Sequence, residues 1–246
     1  DWRYKPSQIN VRKIKGLDNR VKIQMRVDLG VLQMEVDGRP DGRRPYDHDS
    51  CLEYHLRRVE AHQRRNGTEL GFTLDSEECR EVREEALQYY QRYLANFVLE
   101  EYEAVVRDTK RNLDALDLCA RYAVHDEDRY ALEQYRPYIV MMNVRSKALS
   151  AMQQGQFRTA LAHVETGLKS LKEIFSRMGE AKAYRYSGET QILRALRKEI
   201  RKHLPADPVA TIRRKLNRAV AEERYEDAAR LRDELDSLLN PDQREG

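Results

Sequence analysis

Residues 215–238 read KLNRAVAEERYEDAARLRDELDSL, and how this stretch folds decides how the rest of the chain is read. Leu216 and Val220 lie four apart, the spacing of one helix face, and run into a charged turn at 222–224. Tyr225 follows, then Ala228 and Ala229, and the stretch closes on Leu235 and Leu238. Two earlier stretches share this order: YLANFVLEEYEAVVRDTKRNLDAL at 93–116 and ALSAMQQGQFRTALAHVETGLKSL at 148–171. In each, an aromatic follows the turn (Tyr102, Phe157, Tyr225), with a small or β-branched residue three positions on. The pattern predicts one helical hairpin used three times. The aromatic is expected to start the second helix and lean back over the first as a wedge. The alanines, Ala160, Ala228 and Ala229, are expected to let the two backbones approach.

Outward from these hairpins, helical signals run back to Ser50. CLEYHLRRVEAHQRR at 51–65 places Leu52, Leu56 and Val59 on one face and stops at Asn66-Gly67. Asp75 and Glu78 form a capping-box pattern, followed by the stripe Leu87, Tyr90, Leu94 and Phe97, the mark of a helix packed on a helix. The first 45 residues differ. INVRKI at 9–14 and VKIQMRV at 21–27 alternate apolar and polar residues, so Val21, Ile23, Met25 and Val27 share a strand face. Gly16 and Asp18-Asn19 supply the turn between them, and GVLQMEV at 30–36 continues either as a third strand or as an extended arm beside the hairpin. DGRPDGRRPYDHDS at 37–50 is a loop. The expected fold is therefore mainly α: a small antiparallel β element at 1–45, a helical-hairpin domain at 50–200, and a C-terminal hairpin at 207–239. Three strands alone are marginal, so the β element should pack on helices.

Composition narrows the function. The 246 residues carry a net charge of only +3, with 35% charged residues and a mean hydropathy of −0.85. Apolar periodicity persists throughout, which argues against disorder. Cys51, Cys79 and Cys119 make no disulfide framework, so a reducing compartment is expected. No apolar run approaches the roughly 20 residues that span a bilayer, and the N-terminus lacks a signal-peptide core. The cytoplasm is the expected location. No phosphate-binding glycine loop, zinc-protease helix or nucleophile elbow occurs, so no enzyme activity, cofactor or small-molecule substrate is expected. Cys51, His55 and His62, near Asp47, His48 and Asp49, are weighed as metal ligands, but their spacing completes no known set and His55 is expected at a helix rim. The loop aspartates lack the alternating positions and closing glutamate of a calcium loop.

The C-terminal segment is more specific. Asp207-Pro208 reads as an N-cap and first-turn proline, followed by Ile212, Leu216 and Val220, then Glu223, Tyr225-Glu226, Ala228-Ala229, Arg232-Asp233, Leu235 and Leu238. This order resembles the UVR motif, the short helical hairpin at the end of the UvrB excision-repair helicase and within UvrC, found also in the ClpC unfoldase and its adaptor McsA. Arg224 departs from the Asp or Asn usual there and cannot cap the second helix, but Glu226 and Asp227 place negative charge in its first turn, so the hairpin is expected to form, at most with a frayed corner. The middle hairpin, around 143–175, resembles half of a tetratricopeptide repeat through Ala148, Gly155, Phe157, Ala160 and Leu161.

What the UVR resemblance implies is docking: an adaptor or scaffold that joins a protein partner, or another copy of itself, through Leu216, Val220, Tyr225, Ala228, Ala229, Arg232, Leu235 and Leu238. Charge agrees. Residues 182–218 hold eleven Lys/Arg against three Asp/Glu, and residues 219–246 hold four against nine. Two hairpins docked antiparallel would oppose a basic helix to an acidic one. The rival reading is a nucleic-acid-associated protein of repair or ribosome type, using Arg194, Arg197, Lys198, Arg201, Lys202, Arg213, Arg214 and Lys215 on phosphates. No base-stacking aromatic accompanies those residues, and a solvated face neutralised by the acidic C-terminus is the simpler reading.

Overall fold

The computed structural model of the chain describes residues 2, 5, 8–205 and 208–239, the side chains of 208 and 210 excepted. The chain divides into two compact units, residues 1–201 and 202–246. In the first unit, β1 (Asn10–Lys15), β2 (Val21–Val27) and β3 (Gly30–Glu35) form an antiparallel meander. The register sets Val11 against Met25 and Ile23 against Met34. Alternation then turns Ile23, Met25 and Met34 to one face, where they are buried around Ala95. Ala95 belongs to helix α2 (Ser76–Val98), so the sheet lies on that helix. Val21 and Val27, expected on the same face, are exposed. One helix, about 10 Å wide, covers the middle of a strand and leaves its ends in water.

Helix α1 (Cys51–Asn66) opens with the Ser50 hydroxyl accepting from the Glu53 N–H at 3.0 Å. It closes on Gly67, whose φ of 73° is left-handed. At the start of α2, the Asp75 carboxylate accepts from the Glu78 N–H and the Glu78 carboxylate from the Asp75 N–H, both at 2.9 Å. After it come α3 (Tyr102–Tyr122), the short α4 (Asp126–Tyr130), α5 (Arg136–Gln153), α6 (Phe157–Arg177) and α7 (Gly188–Lys202). Helices α2 and α3 pair as one hairpin and α5 and α6 as a second, with α3 packed on α5. Gly167 makes the second hairpin tight, since a Cβ there would stand 2.5 Å from a Val144 methyl.

The two corners are built alike. Glu100 (φ 58°) and Gly155 (φ 72°) are left-handed. The next N–H, of Glu101 or Gln156, donates back five residues to the carbonyl of Asn96 at 2.9 Å or Ala151 at 2.8 Å. That bond satisfies an orphan carbonyl at the helix end and starts the next helix within one residue. Tyr102 meets Phe97 edge-on, ring centroids 5.7 Å apart, which is the expected lean of the aromatic over the first helix.

Two expected core faces are shifted. On α1 the buried residues are Cys51, Leu52, His55 and Val59, while Leu56 is exposed. His55, expected at the rim, is only 1% exposed. On α2, Leu87 is exposed and Tyr90, Leu94 and Phe97 are half-buried. The buried face instead runs through Val82, Glu85, Tyr89, Arg92, Tyr93 and Asn96. Charged residues on that face are hidden from an apolar pattern because their charges are matched inside. The Arg92 guanidinium donates to both oxygens of Asp108 at 2.7 and 2.8 Å, and to the Glu35 and Gly38 carbonyls at 3.1 and 2.8 Å. The fully buried Glu85 carboxylate accepts from the Cys51 and Leu52 N–H groups, at 2.8 and 3.2 Å, and pairs with Arg39 at 2.9 Å and with Arg111. Glu85 thereby satisfies the first turn of α1 and favours its dipole. These contacts tie the loop after β3 to α2 and α3.

Removing one member of such a network strands the others. Glu85→Gln should leave Arg111 facing no carboxylate and Arg39 only Asp41, at a cost of about 3 kcal/mol, read as a lowered urea midpoint. His55 gives a second expectation. Burial, with the Arg58 charge adding to it, holds its pKa below the ordinary 6.5, so the folded chain keeps the ring neutral. The unfolded chain protonates first as pH falls through 6.5, so this stabilisation is present above that value and is lost below it. The loss of urea stability from about pH 7 to about pH 5 should therefore be smaller in His55→Gln than in the wild type.

Candidate partner-binding site

The second unit is the hairpin of α8 (Pro208–Ala221) and α9 (Tyr225–Leu239). The expected N-cap at Asp207 lies outside the described residues. The corner repeats the geometry of the other two. Glu223 is left-handed (φ 58°), and the Arg224 N–H donates to the Ala219 carbonyl at 2.8 Å. No short capping side chain is needed once that bond is made. The Arg224 guanidinium instead pairs with Glu222 at 2.8 Å and with Asp227 at 2.7 Å, bracing the corner where fraying was expected.

Helical spacing sorts the apolar residues. Ile212 and Ala219 on α8, with Ala228 and Leu235 on α9, are buried. Leu216 and Leu231 are half-buried between them. Together these form the seam that holds the two helices. Tyr225, Ala229 and Arg232 follow at intervals of four and three, and all three are exposed on a second stripe of α9. Val220 (52%), Tyr225 (69%) and Leu238 (46%) are the exposed large apolar residues among the eight expected contacts. The predicted set therefore splits: Ala228, Leu235 and part of Leu216 serve the seam, while Val220, Tyr225, Ala229, Arg232 and Leu238 face outward. The wedge reading of Tyr225 is corrected. It occupies the turn position of Tyr102, but no aromatic of the first helix reaches it as Phe97 reaches Tyr102, so the ring stands in water. Ile212 and Ala219 are seam residues that the expected contact set left out; their burial and their spacing of seven are the signal.

Charge is separated along the hairpin. Arg213, Arg214 and Lys215 are exposed on α8, and no ion pair joins them to the carboxylates of α9 among the described residues. Arg213, Arg214 and Lys215 thus form a solvated face, and Arg218 pairs with Glu222 of the turn at 2.7 Å. In the first unit, Arg194 donates to the Arg185 carbonyl at 3.1 Å and lies over the Tyr184 ring, and Arg201 pairs with Glu165 at 2.9 Å. Arg197 is half-buried, whereas Lys198 and Lys202 are exposed.

The residues weighed as metal ligands do not converge. His62 Nε2 lies 3.0 Å from the Leu70 carbonyl, His48 Nδ1 2.7 Å from the Tyr46 carbonyl, and His55 Nδ1 3.0 Å from Arg58. Among the described residues, no group of three or more His, Cys, Asp and Glu is placed to hold a metal ion. Asp37, Asp41 and Asp49 of the loop pair with Arg107, Arg39 and Arg44. All three cysteines are free and buried.

The sequence of this hairpin has a counterpart among known families. Residues 207–240 match the UvrB/uvrC motif. The match spans the hairpin of α8 and α9 and does not reach the middle hairpin, where the tetratricopeptide likeness was drawn. No curated protein and no solved structure matches the chain. Among the described residues, no helix is long and apolar enough to cross a membrane.

Seam and stripe are separable by substitution in the UvrB/uvrC-motif hairpin. Leu235→Ala should cost about 2 kcal/mol or more and melt α9, whereas Tyr225→Ala should stay within about 0.5 kcal/mol. Amide exchange along α9 reads both.

Proposed function

We propose that the chain is a non-enzymatic adaptor that docks a protein partner, another copy of the chain included, through the UvrB/uvrC-motif hairpin. The observation that carries this reading is the apolar surface left over once the seam is closed: Val220, Tyr225 and Leu238 stay in water. A hairpin of two short helices has one interior seam, and apolar residues outside it are stabilised only by a further surface. The family likeness supports the same reading, since hairpins of this kind join UvrB to UvrC and a Clp unfoldase to its adaptor. Charge favours a partner hairpin. Helix α8 carries Arg213, Arg214, Lys215 and Arg218 with no acidic residue, and α9 carries five carboxylates against Arg230 and Arg232. Antiparallel docking sets each basic α8 on an acidic α9. A cytoplasmic location belongs to the proposal, and free buried cysteines fit it.

A second reading has its own observation. Arg213, Arg214 and Lys215 are exposed and unpaired by α9, as phosphate contacts would be. Affinity capture from native lysate, with and without nuclease, separates the two. Docking through the hairpin predicts a partner that survives nuclease and is lost in Val220→Glu. The nucleic-acid reading predicts nuclease-sensitive capture and gel shifts that weaken steeply with salt. Capture indifferent to Val220→Glu would sink the adaptor reading.

A further inference from the structure

The two outer edges of the N-terminal sheet are not alike. β1 carries Arg12, Lys13 and Lys15, the kind of residue that keeps edge strands from pairing with each other. β3 reads GVLQME and holds no lysine, arginine or proline. Which of its backbone groups are free follows from the register. Glu35, opposite Lys22, turns its backbone away from β2: its N–H donates to the Pro40 carbonyl at 2.8 Å, and its own carbonyl accepts from Arg92 at 3.1 Å. In an antiparallel ladder, residues two and four positions earlier point the same way. Gln33 and Val31 therefore direct their N–H and C=O groups outward, and among the described residues those groups meet no partner. Leu32 between them is exposed, and with Leu87 and Gln91 of α2 it lines an open groove of about 400 Å³.

We propose that this edge pairs with the same edge of a second copy of the chain, antiparallel about a two-fold axis at Leu32, so that the sheet continues across both copies. In that register Val31 of one copy lies opposite Gln33 of the other. Each N–H donates to the carbonyl of the residue it faces, and every outward group of the free stretch is satisfied. The two Leu32 side chains meet on the axis beside Leu87 and are withdrawn from water. Nothing longer fits, because the groups of Glu35 are already spent on Pro40 and Arg92.

Charge selects a second copy over other strands. From Gly30 to Met34 the strand bears no charge, so pairing with itself opposes no like charges, whereas β1 paired with itself would oppose several. The rim of the groove does not favour a basic peptide, since Asp41 is paired with Arg39 at 3.3 Å and Glu84 with Arg80. A two-fold pairing also closes on itself, with no further edge of this kind exposed.

The test uses the full chain carrying Val220→Glu, so that docking through the hairpin is removed and the two interfaces are read apart. Light scattering from low to high micromolar concentration should show a mass rising to twice the 29.0 kDa of one chain. Adding Leu32→Lys, an exposed position that leaves the helical circular dichroism unchanged, should return the mass to one chain. Gln33→Pro, which removes one outward N–H at an edge where proline is tolerated, should do the same. Amide exchange supplies a readout without an edge variant: the Val31 and Gln33 N–H groups should slow as concentration rises. A single-chain mass throughout, a dimer indifferent to Leu32→Lys, growth beyond two copies, or β3 amides that exchange equally fast at all concentrations each overturn the proposal.

Discussion

An N–H that reaches back five residues, past one residue in the left-handed region, turns the chain at 100, 155 and 223. Because the second helix begins at once, the corner leaves no slack, and the two helices of each pair must pack along their length. The carbonyl that accepts this bond belongs to Asn96, Ala151 or Ala219, all buried. Five positions beyond the left-handed residue lie Val105, Ala160 and Ala228, buried as well. Small or compact side chains on both sides of the corner are what the geometry demands. Two of the three left-handed positions are glutamates, at a conformational cost of about 1 kcal/mol or more each relative to glycine. The corner is kept in spite of that cost, so packing of the following helices outweighs it.

A second constraint acts only in the first unit. Arg92, Asp108, Glu85, Arg39 and Arg111 hold the loop after β3 and the start of α1 against α2 and α3. Ion pairs this deep add little net stability over apolar packing of the same volume, because burial removes both charges from water. What they add is position: the loop has one place where its carbonyls and the α1 N–H groups meet their partners. The sheet is anchored by the same contacts, since the Glu35 carbonyl is among those that Arg92 holds.

The hairpins were legible in the sequence because aromatic and small residues recur at fixed offsets from the turn, and offsets are what a helix preserves. The strands were legible at their centres, where alternation meets a covering helix, and not at their ends. The core face of α2 was hidden because Glu85 and Arg92 look like surface residues until Arg111 and Asp108 are seen opposite them. His55 was misplaced for a related reason: a titratable ring beside an apolar stripe reads as rim, and its burial shows only in the folded chain, where Tyr54 and Arg58 lie against it. In the C-terminal hairpin, the identity of the motif residues was readable, while their division into seam and outer stripe was not. One residue of offset, Ala228 against Ala229, changes which side meets the other helix, and sequence spacing alone leaves that phase open.

The hairpin of α8 and α9 makes its seam between residues close in sequence, across a corner three residues long. Loop closure of that length is fast and local, on the timescale of microseconds, whereas the first unit must bring β3 and its loop to α2 and α3 over many tens of residues. The C-terminal hairpin can therefore form before the first unit has closed its long-range contacts. Its outer stripe is presented by an element held together by one seam, Ile212 and Ala219 against Ala228 and Leu235. Any association that closed over Val220 and Tyr225 would favour the folded hairpin, so occupancy of the surface and persistence of the hairpin would rise together.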